Sequence, residues 1–253
     1  MNLLPQISES LRVKLEYERQ ELLASLHNPA FRDAVATVPR EFFVPFDLVG
    51  KAYVDTAIPI GRRQTTSQIT VLEDMVDALE LQSDDKVLEV GAGCGYFLAV
   101  LSHLVREVHG TEIVPELAER AEQQLKSLGC SNAYVHKTTV GDIGFDTSAP
   151  YDKICVSSQI PRRCIDEGSN SIFLSLLSQL PEERGILVAP VALLYPDDVK
   201  RLPGMPLWRQ RSLCAMLVAR CKGEEIELTY LRDIDNPNIH SSYYFVPFIT
   251  AES

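Results

Sequence analysis

The chain has 253 residues, 45% of them apolar and 23% charged, which is enough to bury a core without staples and too apolar for wholesale disorder. Its formal net charge of −11 repels polyanions and argues against nucleic acid as a partner. The six cysteines show neither C-x-x-C pairing nor zinc spacing, and the longest smooth apolar run covers only residues 213–219; the expectation is a cytoplasmic protein with no metal, no signal peptide and no membrane span.

Residues 7–27 read as an amphipathic helix, with Leu11, Leu15, Leu22 and Leu26 at near-helical spacing. Asn28-Pro29 stops it, and a second helix is expected over residues 31–38. Residues 38–45, Val-Pro-Arg-Glu-Phe-Phe-Val-Pro, are too rich in proline and aromatics for a regular element. The stretch around Gln64, Thr65, Thr66 and Ser67 reads as a polar loop before a helix starting near Val71, with Ser67 or Thr70 as its cap.

From Lys86 onward the pattern changes. Residues 86–90 form a short apolar strand that runs into a glycine-rich turn, and residues 96–104 are helical in pattern. Residues 107–112 make the next strand. Residues 115–128 make the clearest helix, with proline at its first position and Gly129 as its cap. Strands follow at 133–137, 151–157 and 185–191, with a helix at 173–180. Strand and helix alternate, which predicts a doubly wound, mostly parallel α/β sheet of the Rossmann-like type. The tail offers three further apolar stretches, 212–221, 226–231 and 243–249, expected as antiparallel strands, with Lys222-Gly223 at the first reversal. The division expected is an N-terminal helical and loop extension over 1–70 and a nucleoside-binding domain over 71–253.

The sequence Val87-Leu88-Glu89-Val90-Gly91-Ala92-Gly93-Cys94-Gly95 leaves a strand and opens a helix, the place where glycines admit a tight turn and a close ligand. Glu112 closes the next strand, 112 − 91 = 21 positions on, near the roughly 20 at which a carboxylate meets ribose hydroxyls. The dinucleotide fingerprint wants a small residue where this chain has Tyr96; a bulky side chain there disfavours a pyrophosphate, and with it a nicotinamide oxidoreductase. The turn is instead the form used to bind S-adenosyl-L-methionine. Asp142, in Val140-Gly141-Asp142, is either a contact for the adenine amino group or an ordinary turn residue. A silent binding module on the same fold is disfavoured by the intact glycines and Glu112.

Several blocks, in order, resemble the protein-L-isoaspartate O-methyltransferase family. They are residues 38–45; Tyr53-Val54-Asp55 with Ile58-Pro59-Ile60-Gly61; Gln64-Thr65-Thr66-Ser67-Gln68; the glycine turn; Glu112-Ile113-Val114-Pro115-Glu116-Leu117-Ala118; Val140-Gly141-Asp142; Ala149-Pro150-Tyr151-Asp152; and Phe245-Val246-Pro247. The resemblance implies transfer of a methyl group from S-adenosylmethionine to the free carboxylate of an L-isoaspartyl residue in a peptide or protein, after which the ester closes to a succinimide. It implies Ser67 as the active-site serine, flanked in the substrate site by Gln64, Thr65, Thr66 and Arg63. The expected cofactor contacts are Glu89, Gly91, Ala92, Gly93, Gly95, Glu112, Ile113, Asp142 and Ile143, and the expected assembly is a monomer or weak dimer. The chain departs from the family's pattern at several points: Arg63 replaces a loop glycine, Ile69 a proline and Ile143 a glycine, Ser157-Ser158-Gln159-Ile160 replaces a small-residue segment, and residues 194–211 look longer than usual. Arg62 and Arg63 are either solvated loop charges or a grip on a substrate carboxylate. The departures leave room for a changed acceptor, such as an aspartyl carboxylate in a biosynthetic peptide or a small-molecule carboxylate.

Overall fold

The computed structural model describes residues 7–161, 165, 172–192 and 214–230. The first helix, α1 (Glu9–Ser25), begins where Ser8 Oγ accepts the Leu11 N–H at 3.2 Å, an N-cap of the usual kind. Its buried leucines, Leu15 and Leu22, lie one above the other. α1 stops at Ser25, with Leu26 already extended, and Asn28-Pro29 starts α2 (Pro29–Thr37): Asn28 Oδ1 accepts the Phe31 N–H at 3.0 Å, with proline at the first turn. Two short 3-10 helices, Arg40–Phe42 and Phe46–Lys51, occupy the proline-rich stretch.

The polar loop of the sequence reading is instead a small hairpin, β1 (Ile58–Gly61) with β2 (Gln64–Thr66), paired antiparallel. Its two-residue turn, Arg62-Arg63, holds both residues at positive φ, 51° and 61°. That geometry matches the twist of a hairpin, although Asn-Gly fills it at lower cost. Helix α3 (Ile69–Leu79) follows, and neither Ser67 nor Thr70 caps it. Asp55 performs that role from outside, accepting the Thr70 N–H at 3.1 Å and the Thr70 hydroxyl at 2.7 Å. Glu73 of α3, 3% exposed, accepts the N–H groups of His27 (2.7 Å) and Asn28 (2.8 Å). It ties the α1–α2 corner to the body through charge-assisted bonds of a kind worth up to about 3 kcal/mol.

The main sheet is built from β3 (Lys86–Val90), β4 (Glu107–Glu112), β5 (Ala133–Lys137), β6 (Lys153–Val156), β7 (Glu183–Ala192), β8 (Cys214–Lys222) and β9 (Glu225–Tyr230). Their order is β5-β4-β3-β6-β7-β8-β9. The first five are parallel, and β8 and β9 return antiparallel. Helices α4 (Tyr96–Leu101), α5 (Pro115–Leu128) and α6 (Ile172–Leu177) complete the α/β pattern. α5 buries Leu117, Ala118, Ala121 and Leu125 and ends at Gly129, where φ is 74° and the Cys130 N–H reaches back to the Leu125 carbonyl.

Alternation along the strands sorts the core. Val87, Val108, Val188 and Val218 face one apolar cluster with α1 to α5; Leu88, Ile154, Leu187 and Leu217 face a second beside α6. The first cluster runs without interruption from Leu15 through Phe43 and Met75 to Met216, so the N-terminal extension shares its apolar packing with the sheet. The strand expected over 243–249, the block at Phe245-Val246-Pro247 and the long connection 194–211 lie outside the described residues. No described helix is long and apolar enough to cross a membrane.

Candidate active site

β3, β4 and β5 step one way from the sheet centre, and β6 starts the other half on the opposite side of β3. The crevice at the carboxyl ends of the strands, at such a reversal, is where doubly wound sheets take their ligands. Here the glycine turn leaves β3. The N–H groups of Gly91 and Ala92 both donate to the Thr111 carbonyl at 2.9 Å, which ties the turn to the end of β4. Gly95 sits at φ 83°, and a Cβ there would lie 2.9 Å from the Cβ of Ala121. α5 therefore passes too close for any side chain, and the third glycine serves helix packing.

Glu112 at the end of β4 is 6% exposed. Its Oε2 accepts the Gly93 N–H at 2.7 Å and its Oε1 the Val114 N–H at 2.8 Å, so one carboxylate joins the glycine turn to the start of α5. Burial pushes its pKa up, and the backbone hydrogen bonds oppose that shift. Each oxygen retains lone-pair capacity for one more donor.

Two adjoining cavities meet at this point. The first has about 690 Å3 of empty space, part of it open to solvent, between the ends of β3, β4 and β6, the segment after β5 and the hairpin. Glu112, Ile113, Gly91, Gly93, Asp142, Gln64 and Thr65 line it, together with Thr138, Thr139, Ser157 and Ser158. Among its described lining residues none is basic and two are acidic, which suits a cationic nucleoside and opposes a diphosphate. The second cavity, about 310 Å3, lies beneath the hairpin against Thr66, Ser67, Leu72, Glu89, Ala92, Cys94 and Tyr96. Thr65, Gly91, Gly93 and Ser157 line both. The Ser67 hydroxyl has no hydrogen-bond partner among the described residues.

Glu89 is 1% exposed and borders the second cavity. The Ser157 hydroxyl donates to its Oε1 at 2.6 Å, and its Oε2 is buried without a partner among the described residues. Burial pushes this carboxyl up to about 8, against the Ser157 bond and with some help from the charge of Glu112.

Most of the residues expected at the site from the sequence are thus brought together: Gln64, Thr65, Thr66, Ser67, Glu89, Gly91, Ala92, Gly93, Glu112, Ile113 and Asp142 border one cavity or the other. Three do not. Arg63 stands exposed at the hairpin tip, Gly95 backs onto α5, and Ile143 packs half-buried against the second apolar cluster. Asp142 borders the first cleft, yet its Oδ2 accepts both the N–H and the hydroxyl of Thr139 at 2.8 Å. Those bonds hold its pKa below the usual carboxylate range, so it is a turn residue as well as a cleft residue. Tyr96 is buried at the second cavity, edge-on to Phe43; its bulk does not crowd the first cleft, whose lack of basic groups is the better argument against a pyrophosphate. Ser157, read from the sequence only as part of a departure from the family pattern, lines both cavities, and its place at the end of the strand beside β3, across the reversal, is a signal a sequence reading could use.

Fold and site together define a class, the methyltransferases built on a doubly wound sheet. A family model described as Protein-L-isoaspartate(D-aspartate) O-methyltransferase (PCMT) matches residues 16–202. Protein-L-isoaspartate O-methyltransferases of Ignicoccus hospitalis and Dictyoglomus turgidum are 42% and 38% identical to the chain, each over 70% of it and over 83% and 78% of their own lengths. Protein-L-isoaspartate O-methyltransferase 2 of Pelobacter propionicus is 40% identical over 83% of the chain and 92% of its own length. A solved protein-L-isoaspartate O-methyltransferase aligns with a TM-score of 0.67 at 20% identity, covering 92% of this chain and 65% of that one. A putative one from Plasmodium falciparum, in complex with S-adenosyl-L-homocysteine, aligns at 0.63 and 15% identity, covering 93% and 96%. The chain belongs to the protein-L-isoaspartate O-methyltransferase family.

Proposed function

We propose that this protein uses S-adenosylmethionine to methylate the free carboxylate of L-isoaspartyl residues in peptides or proteins. The observation that carries the reading is the Ser67 hydroxyl, without a partner among the described residues, in a cavity sharing a wall with the acid-lined glycine-turn cleft. S-adenosylmethionine, when bound, supplies a methyl group already activated on a sulfonium sulfur.

The chain's own residues have correspondingly little chemistry to perform. A carboxylate acceptor is ionised at neutral pH, so no general base is needed. Alignment of oxygen, methyl and sulfur is what remains, an effect worth on the order of 7–11 kcal/mol. Glu112 would take the ribose hydroxyls with its remaining lone pairs, while the N–H bonds to Gly93 and Val114 hold it in place. Ser67 would donate to the acceptor carboxylate, and Thr65, on the shared wall, borders donor and acceptor together. The free thiols Cys94, Cys130, Cys155 and Cys221 support a reducing compartment, the cytoplasm, as the place of work.

The test is methyl transfer from labelled S-adenosylmethionine to isoaspartyl and aspartyl versions of one peptide. Turnover of the isoaspartyl peptide alone is expected. Turnover of only the aspartyl peptide, or of neither despite measurable binding of S-adenosylhomocysteine, would replace the reading with a changed acceptor. Ser67→Ala removes one hydrogen bond to a charged group, so kcat/KM should fall by about 10- to 100-fold with cofactor affinity unchanged.

A further inference from the structure

We infer that Arg40 is the positioning residue of the acceptor site: its guanidinium clasps the two ends of the β1–β2 hairpin and so fixes Ser67. The inference rests on the reading of Ser67 given above. Arg40 lies in the 3-10 helix Arg40–Phe42 and is 0% exposed. Its Nη2 donates to the Ser67 carbonyl at 2.6 Å and leans on the Thr56 carbonyl at 3.4 Å. Those carbonyls bracket the hairpin, one on each side of its base. A second tie, from Asp55 to Thr70, joins the same two segments just outside the first.

The clasp is made by a side chain that packing alone would not choose. Among the described residues no carboxylate lies in ion-pair contact with Arg40, and its Nε and Nη1 are buried without partners. Taking a cation out of water without a counter-charge is costly. An apolar side chain of similar length would fill the space more cheaply but could not donate to the two carbonyls that flank the hairpin. The guanidinium also lies over the ring of Tyr96, 5.4 Å from its centroid, and Tyr96 borders the cavity that Ser67 borders. Arg40 thus packs on a wall of the second cavity and is not among the described residues that line the first.

Two variants separate positioning from general support. Arg40→Met removes both carbonyl contacts. Arg40→Lys keeps a charged donor but not the planar guanidinium that lies over Tyr96. The readouts are kcat and KM for an isoaspartyl peptide, calorimetric affinity for S-adenosylhomocysteine, and amide hydrogen exchange at residues 67–70. The expected result for Arg40→Met is a fall of about 10-fold or more in kcat/KM, S-adenosylhomocysteine affinity within about twofold, and faster exchange at 67–70 with β3 and β4 unchanged. Arg40→Lys should recover part of each loss. Peptide kinetics within twofold of wild type, or matching losses of peptide kinetics and cofactor affinity, would overturn the assignment. Where Arg40→Met does not fold, Arg40→Lys carries the same comparison. Wild-type turnover tests the Ser67 reading separately; in its absence, exchange at 67–70 in Arg40→Lys decides the clasp alone, and unchanged exchange there overturns it.

Discussion

Glu89 is a carboxyl group shut away from water, held by one hydroxyl and with one oxygen unpaired among the described residues. Its native pKa of about 8 stands above the ordinary 4.5, so the folded chain keeps a proton that the unfolded chain gives up. Between those two values the native state binds more protons, and stability falls as pH rises through the window, by up to about 1.4 kcal/mol per pH unit. Glu89→Gln keeps a partner for Ser157 and does not titrate. The stability of wild type relative to this variant should therefore drop between pH 5 and pH 8 in urea unfolding; a constant difference would show that the carboxyl titrates normally. Individual residues were unequally legible in the sequence. The position of Glu112 at the cleft is legible from its spacing from Gly91, because a strand of fixed rise places the acid at a fixed distance from the turn. Ser67 came only through a family block, since a serine in a polar stretch has no periodic signature. Arg40 passed unnoticed, because nothing in a linear sequence tells a buried arginine from a solvated one.

At the scale of elements, the long strands and helices of the sheet were read nearly to their ends, and the hairpin was not read at all. Its strands have four and three residues, too short for alternation to register, and its tip lacks the Asn or Gly that announces such a turn. Arg62 and Arg63 hold left-handed backbone there, and Arg62 is paired with the exposed Glu116 on α5. A left-handed non-glycine residue costs roughly 1–2 kcal/mol, and glycine's extra chain entropy takes back roughly 0.5–1 kcal/mol. Arg63→Gly, which leaves the Arg62–Glu116 pair alone, should therefore stabilise the protein by about 0.5–1 kcal/mol, seen as a rise in Tm. A fall would mean that Arg63 makes a favourable contact in solution. The start of α3 shows the same limit of local reading: its cap, Asp55, comes from across the base of the hairpin, and only the folded chain brings the two together.

For the whole molecule, alternation of strand and helix foretold a doubly wound sheet with antiparallel strands after the parallel ones, because hydrophobic period and turn residues carry that information locally. The path of the chain over the sheet's ends, which places the hairpin between two cavities, is a long-range outcome that no window of sequence contains. Ligand binding should register at this scale. S-adenosylhomocysteine at about 100 times its Kd adds about 2.7 kcal/mol to stability, a rise of roughly 5–10 °C in Tm for a chain of this size. Glu112→Ala should lose most of that rise at the same ligand concentration, measured against its own unliganded Tm; an undiminished rise would place the nucleoside elsewhere. The partition between the cavities also limits how such a protein can be re-engineered. Thr65, Gly91, Gly93 and Ser157 belong to both compartments, so a substitution at any of them alters both at once. Thr66, Ser67 and Leu72 line the inner compartment alone, so a substitution there leaves the walls of the other in place.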